Sequence, residues 1–381
     1  MEPQKSSFQS GLTFDDVLVI PGYSDFPRKD IDLSTKLSKR VRISIPLVSS
    51  PMDTVTESRL AIELAKLGGI GIIHRNLSVE DQASEVKKVK DKNLLVGAAL
   101  GTSAEFKVRI KALLNAGIDV IVVDSAHGYS KGVIETIKFI KKTYPKIDVV
   151  GGNIATSDAA KALIAAGADG LRVGMGPGAI CTTRIISGVG IPQITAILET
   201  AKIAKKAGIP VIADGGINYS GDMVKALGAG ASTIMMGGFF AACVESPGKL
   251  ITLKPAQLPS RFQRMPQIKS SYQFKEYRGM GSEAAMKKGA KIKSGDEFHG
   301  KNYKDRVLVA EGVEGLVLVK GKISELVDQA LGGIRSGMYY TGAKNVPELW
   351  KKTRFIQITQ ASLTESHPHN IFVTNPGKNY E

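Results

Sequence analysis

The chain has 381 residues, 43% apolar and 23% charged, which excludes a disordered or fibrous chain, and no apolar run reaches the roughly 18 residues of a membrane helix. Two cysteines build no disulfide framework and the polar N-terminus holds no apolar signal core, so a cytoplasmic protein without a membrane partner is expected. The net charge of +15 sits in short lysine groups such as Lys87-Lys88 and Lys141-Lys142, with no basic tail or interleaved aromatics, so no nucleic-acid partner is expected.

Short apolar runs recur at 45–48, 70–73, 94–100, 120–123, 149–150, 170–173, 211–213 and 233–236. Continuous rather than alternating, they predict strands buried on both faces, as in a parallel sheet. Helical patterns such as 103–116 and 157–166 lie between most of them. The strings Ala116-Gly117-Ile118-Asp119, Ala166-Gly167-Ala168-Asp169 and Gly228-Ala229-Gly230-Ala231 each precede a strand, and read as helix C-cap glycines. Eight such units in about 200 residues predict an α/β fold, the (β/α)8 TIM barrel, with an open doubly wound sheet as the alternative. Residues 246–305 then lose periodicity and are rich in Pro, Lys, Ser and Gly, with Pro255, Pro259 and Pro266. A segment so long is expected to be a functional insertion with a mobile flap, inside one catalytic domain spanning 1–381. Order is expected to resume at 307–315, a helix at 324–331, and a tail over the last thirty residues.

The chemistry concentrates after the sixth run. Cys181 stands in a loop with Gly174, Gly176 and Gly178, just past residues 170–173. Glycines let the backbone approach a ligand closely, and a thiol among exposed N–H dipoles can be activated as a nucleophile. Cys243, in Phe239-Phe240-Ala241-Ala242-Cys243, reads as a small buried hydrophobe. In a barrel the loops after strands seven and eight often bind phosphate. Here they are Asp214-Gly215-Gly216-Ile217 and Gly237-Gly238, and Asp214 suits a ribose diol, although tight turns alone also explain the glycines. Asp124, in Asp124-Ser125-Ala126-His127-Gly128, suits a second ribose or a plain helix cap. Glu311 is a candidate acid or base. His74, His127, His299, His367 and His369 lack zinc spacing, and no Gly-x-Gly-x-x-Gly follows an early strand.

The segment 174–193, with 11–17, 46–57, 68–76, 213–217 and 277–286, resembles the IMP dehydrogenase/GMP reductase family over nearly the whole chain. The resemblance implies a homotetrameric barrel in which a purine nucleoside monophosphate and NAD meet at the cysteine. It implies that Cys181 attacks C2 of the purine, that hydride passes to NAD, and that water hydrolyses the thioimidate, with Thr183 assisting. Ser50, Met52, Asp214, Gly216, Gly237, Gly238, Tyr277, Met280, Gly281 and Glu311 would hold the nucleotide. Asp124, Ser125, Asn153, Arg172 and Gly174 would face the cofactor or the purine edge. Gly176, Gly178 and Cys181 would cradle a monovalent cation, K+, completed by Glu365, Ser366 and His367 of a neighbouring subunit. Many dehydrogenases of the family carry a Bateman (CBS-pair) domain, and here residues 86–95 lead straight into the third strand, leaving no room for it.

Three departures from the usual dehydrogenase pattern stand out, and Ser282-Glu283 is also reductase-like. Ala179 stands where dehydrogenases usually have serine, and Gly237-Gly238 is the reductase pattern. The flap reads Ser294-Gly295-Asp296-Glu297-Phe298-His299 in place of the dehydrogenase Arg-Tyr pair, with Arg306 further on. Against these, Asp124-Ser125-Ala126-His127, 332–340 and 365–369 are dehydrogenase-like. IMP dehydrogenase is the expected activity, with GMP reductase or a non-catalytic nucleotide-binding regulator as alternatives.

Overall fold

The computed structural model describes residues 9–103, 105–258, 270–292, 309–371 and 373–374. Strand β1 (Val17–Val19) and the hairpin β2 (Thr35–Lys36) and β3 (Arg42–Ile43) precede a closed barrel of eight parallel strands. These are β4 (Leu47–Ser49), β5 (Ile70–Ile73), β6 (Val96–Leu100), β7 (Val120–Asp124), β8 (Asp148–Ile154), β9 (Gly170–Val173), β10 (Val211–Asp214) and β11 (Thr233–Met236). The ring closes where Ile234 pairs with Leu47 and Met236 with Ser49. Helices α1 (Ser58–Lys66), α2 (Val79–Lys90), α3 (Phe106–Asn115), α4 (Lys131–Thr143), α5 (Ser157–Ala165), α6 (Thr183–Ser187), α7 (Gln193–Lys206), α8 (Ser220–Gly228) and α9 (Gly238–Ala241) alternate with the strands. The expected barrel is therefore present and the open sheet is excluded. Only residues 91–95 separate α2 from β6.

Every barrel strand falls on an expected run, three of them to the residue. The glycines expected as C-caps hold φ of 84° at Gly117, 101° at Gly167 and 113° at Gly230, a left-handed backbone that glycine adopts without a Cβ penalty. β8 outruns its expected pair of residues because Gly151-Gly152 stays in the ladder. A Cβ at Gly151 would lie 2.6 Å from Leu163 Cδ2 and 2.8 Å from Ile137 Cδ1, so this pair admits close helix packing and does not end the strand.

Leu37 and Ile43 of the hairpin join Val48, Ile72, Val122 and Met235 in the barrel interior, closing the end opposite the strand C-termini. Buried Asp148 pins that plug, accepting from Ser38 Oγ at 2.6 Å, Arg40 N at 2.8 Å and Arg40 Nε at 2.6 Å. Burial pushes the Asp148 carboxyl up, but the bonds from Ser38 and Arg40 outweigh it and hold the group below the usual carboxylate range.

The segment 246–305 differs from its expectation. It contributes β12 (Leu250–Leu253), β13 (Tyr272–Arg278) and helix α10 (Glu283–Lys291), and β14 (Glu314–Leu318) completes a three-stranded antiparallel sheet. β13 buries Tyr272 and Phe274 with Leu258 in a small core of its own, which the surrounding lysines and serines hide in the composition. Pro259, Pro266, the flap at 294–299 and Arg306 lie outside the described residues.

Helix α11 (Ile323–Thr341) runs ten residues past the expected end at 331. Gly333 and Gly337 do not stop it: a Cβ at Gly333 would lie 2.2 Å from Ser220 Oγ, and one at Gly337 2.5 Å from Val224 Cγ2. These glycines let α11 press against α8. After α12 (Val346–Lys352), the expected tail folds back as β15 (Phe355–Gln357), antiparallel to β1, and α13 (Gln360–Glu365). Among the described residues no helix is long and apolar enough to cross a membrane.

Candidate active site

A cleft of about 250 Å³ opens at the C-terminal ends of the barrel strands, the usual place for a barrel active site. Its centre is the loop between β9 and α6. Gly174 has φ of 145° and Gly176 of 74°, and a Cβ at Gly174 would lie 2.0 Å from the Asp214 carbonyl oxygen, so no other residue fits there. Cys181 N–H donates to Gly178 O at 3.0 Å, and Cys181 pairs with Gly312 as an antiparallel bridge. Thr182 N donates to Glu311 O at 3.0 Å and Val313 N to Ile180 O at 2.9 Å, so the thiol loop is stitched to the segment 311–313 that leads into β14.

Cys181 Sγ lies 3.2 Å from Thr183 Oγ1 and 3.8 Å from Glu311 O, and the residue is partly open to the cleft. Cys243 is fully buried, and burial pushes its thiol well above the usual range, so it stays protonated and inert. The two cysteines thus divide as expected, one facing a cavity and one filling the core.

Below the thiol lies a buried charge network. Arg172 Nη1 is 2.5 Å from Asp124 Oδ1, while its Nε and Nη2 are each 2.9 Å from Asp214 Oδ2. Asn153 Nδ2 donates to Asp214 Oδ2 at 2.8 Å and to Gly174 O at 2.7 Å. Arg75 Nε reaches Asp124 Oδ2 at 3.4 Å. Burial works against the Arg172 charge, but Asp214 and Asp124 outweigh it and raise its pKa, so the guanidinium stays charged. The helix-cap alternative for Asp124 falls, because α4 starts at Lys131 behind Ser130. Both Asp124 oxygens already face arginines, so a diol at that position shares the carboxylate with Arg75 or Arg172.

The opposite wall carries Ser50, Met52, Gly237, Tyr277, Met280, Gly281 and Glu311. A Cβ at Gly237 would lie 2.5 Å from Tyr277 Oη and 2.9 Å from Met52 Sδ, whereas one at Gly238 would come no nearer Tyr277 than 3.6 Å. A side chain at 237 would press on the ends of the Tyr277 and Met52 side chains, whereas a Cβ at 238 would make only ordinary contact. Burial pushes the Tyr277 phenol up, keeping it a neutral hydrogen-bonding group.

Among the expected residues, Ser125, Gly176 and Gly178 also line this cleft, while Gly216 and Gly238 stand just behind it. Gly216 packs against Pro177 and Phe14. Glu365 ends α13 and is exposed, as is Ser366, and the His367 ring lies 6.1 Å from that of Tyr219. Among the described residues no group of three His, Cys, Asp or Glu is placed to hold a metal ion. His74 is buried, accepts Asn76 N–H on Nδ1 at 3.1 Å and faces Glu57 with Nε2 at 3.3 Å.

Sequence reading missed Arg75 and Gln193. Arg75 lies just beyond the C-terminal end of β5, the position at which barrel loops place site residues, and that offset was the available signal. Gln193 Nε2 donates to Val173 O and Asp214 O, each at 3.0 Å, clamping the ends of β9 and β10. It stands at the start of α7, and nothing local marks its side chain as turned inward.

The chain is similar to known proteins over nearly its whole length. A family model of the IMP dehydrogenase / GMP reductase domain matches residues 11–369. The chain is 44% identical to an inosine-5'-monophosphate dehydrogenase of Cryptosporidium parvum over 413 positions, covering 97% of this chain and 98% of that one. It is 38% identical to the protein of that name from Aquifex aeolicus over 504 positions, covering 99% of each. It is 36% identical to that of Halalkalibacterium halodurans over 503 positions, again covering 99% of each. The two bacterial alignments exceed this chain's 381 residues, so those relatives hold residues that have no counterpart here. With a family model over nearly its full length and a Cys181 loop facing a cleft at the mouth of an eight-stranded barrel, the chain belongs to the IMP dehydrogenase/GMP reductase family.

Proposed function

We propose that the chain oxidises inosine monophosphate to xanthosine monophosphate with NAD+, in guanine nucleotide synthesis, through a covalent bond to Cys181. One observation carries the reading: the one thiol that faces the cleft has Thr183 Oγ1 at 3.2 Å and the Glu311 segment stitched beside it, in a chain similar to the three inosine-5'-monophosphate dehydrogenases named above. The Cys181 thiolate adds to C2 of the purine, and the C2 hydrogen leaves as hydride. NAD+, when bound, supplies the acceptor for that hydride. Water then adds to C2 of the thioimidate, the C–S bond breaks, and the thiol is restored with the product. Thr183 orients Sγ and offers its hydroxyl for the proton. Glu311 takes the N–H edge of the purine. Asp214 holds the ribose, and amides of the loops at 215–216 and 237–238 face the phosphate beside Ser50 and Tyr277. Asp124, Ser125, Asn153, Arg172 and Gly174 hold the cofactor side, where the residues offer acceptors for a diol and a glycine leaves room for a planar ring.

Carbonyls of Gly176, Gly178 and Cys181 fit a monovalent cation, since glycine φ values turn this loop tightly and oxygen ligands suit a hard ion. Glu365, Ser366 and His367 complete it from a neighbouring subunit of a homotetramer, as the family resemblance implies. The chain acts in the cytoplasm as one catalytic domain without a CBS pair, consistent with the short passage from α2 to β6.

Gly237-Gly238 favours a second reading, GMP reductase, because it matches the reductase pattern. Incubation with IMP and NAD+, and separately with GMP and NADPH, decides between them by absorbance of the reduced cofactor. Reduced cofactor appearing only in the first mixture supports the dehydrogenase. Consumption only in the second overturns it, and silence in both with tight nucleotide binding supports a regulator.

A further inference from the structure

A second charged cluster, used by no step above, lies behind the cleft wall. Asp53 follows Met52 in the loop after β4, and its side chain is wholly buried. Arg278, the last residue of β13, grips it with two bonds: Nε lies 3.0 Å from Oδ1 and Nη2 2.5 Å from Oδ2. Asn76, in the loop after β5, donates from Nδ2 to Asp53 Oδ2 at 2.9 Å and to Ala285 O of α10 at 3.1 Å. Arg278 N–H also reaches Thr54 Oγ1 at 3.3 Å. Burial pushes the Asp53 carboxyl up, but hydrogen bonds from Arg278 and Asn76 outweigh it and hold the group ionised.

A buried ion pair of this kind is poor evidence of a stability device, since apolar residues of similar volume often serve equally well. Its geometric content is larger. A two-point guanidinium–carboxylate pair fixes orientation as well as distance. From Arg278 the chain runs directly into Gly279, Met280 and Gly281 on the cleft wall. Gly279 N donates to Val313 O at 3.0 Å, and Glu311 N to Gly281 O at 3.1 Å. Residues 311–313 in turn hold Ile180 and Thr182 on either side of the nucleophile. Backbone bonds therefore connect Arg278 to Cys181 through the segments 279–281 and 311–313, with no flexible side chain between. At the other end of the pair, Asp53 adjoins Met52, on the same wall.

We propose that Asp53 and Arg278 are positioning residues, whose pair sets the register of 279–281 against the Cys181 loop and so the fit of nucleotide between Met52, Met280 and the thiol. This rests on the nucleotide reading of the cleft given above. Asn76 extends the same hold to α10, so three segments distant in sequence are fixed by one carboxylate.

The test reads Cys181 directly. Cys243 is buried, so iodoacetamide labelling of the native protein reports Cys181, and IMP in the cleft slows it. In Arg278→Met and Asp53→Asn, the IMP concentration for half-protection is expected to rise about tenfold or more, because small misplacements at a reacting centre have effects of that order. KM for IMP should rise in parallel, with circular dichroism showing the variants folded at the assay temperature although they melt lower, because each leaves one charge of the pair alone. Arg278→Lys, which keeps the charge and loses the fork, should fall between wild type and Arg278→Met. Should a single variant fail to fold, the double variant Asp53→Asn with Arg278→Met, which buries no lone charge, takes its place under the same criteria. Half-protection and KM within twofold of wild type would overturn the positioning role alone. A wild-type thiol that IMP does not protect would overturn the nucleotide reading, and this inference with it.

Discussion

Cys181 and Cys243 show how one residue type takes two roles from its surroundings. Desolvation holds the Cys243 thiol protonated in the core, while Cys181 meets a hydroxyl and a cleft. Cys181→Ala is therefore expected to lower kcat by a factor on the order of 10³ or more, as loss of a nucleophile does in other enzymes. IMP should still bind, because its ribose and phosphate contacts lie elsewhere; calorimetric titration checks this, and normal turnover of the variant would exclude covalent catalysis. Glu311 stood in the sequence only as a candidate acid or base and Thr183 entered through the family resemblance, whereas the thiol was legible because loop glycines after a strand mark it. Arg75 and Gln193 were less so, since their roles come from partners on other strands: Asp124 for the one, Val173 and Asp214 for the other.

Among the elements, the barrel strands were readable because burial on both faces demands continuous apolar runs, and each run here ends in a glycine or polar residue. The sheet of β12, β13 and β14 was not, because one of its faces is wet and its composition is lysine-rich. Glycine misled in two places for one reason. Gly151 in β8 and Gly333 in α11 look like terminators but remove a Cβ where a neighbour presses close. The plug hairpin offers an element-scale prediction. The Asp148 side chain is 1% exposed and collects three hydrogen bonds, so Asp148→Ala should cost about 2–3 kcal/mol, discounted because Arg40 is half exposed. Its folded pKa is depressed, so this stabilisation is complete above the unfolded carboxylate pKa of about 3.9 and is lost as pH falls through the lower folded value. Unfolding curves of wild type and variant should differ at neutral pH and converge in strong acid.

For the whole molecule, the cation site is where one chain falls short of the reaction it is proposed to run. The residues proposed to complete it lie on α13 and just beyond, where the His367 ring packs beside Tyr219. Glu365→Ala is expected to raise the K+ concentration for half-maximal activity about tenfold with IMP binding unchanged, as loss of one coordinating group weakens a site. Activity titrated with K+ in both proteins measures it, and an unchanged K+ requirement would remove Glu365 from the site.

The amino-acid sequence by itself determined the barrel, the thiol loop and the family resemblance, because these depend on local patterns: runs of apolar residues, capping glycines and contiguous motifs. Only the tertiary structure decided which distant side chains share one carboxylate. Arg172 between Asp124 and Asp214, and Arg278 on Asp53, join residues 42 to 225 positions apart. Such pairs leave no periodic trace along the chain, since barrel closure and the added sheet, not sequence spacing, set their distances.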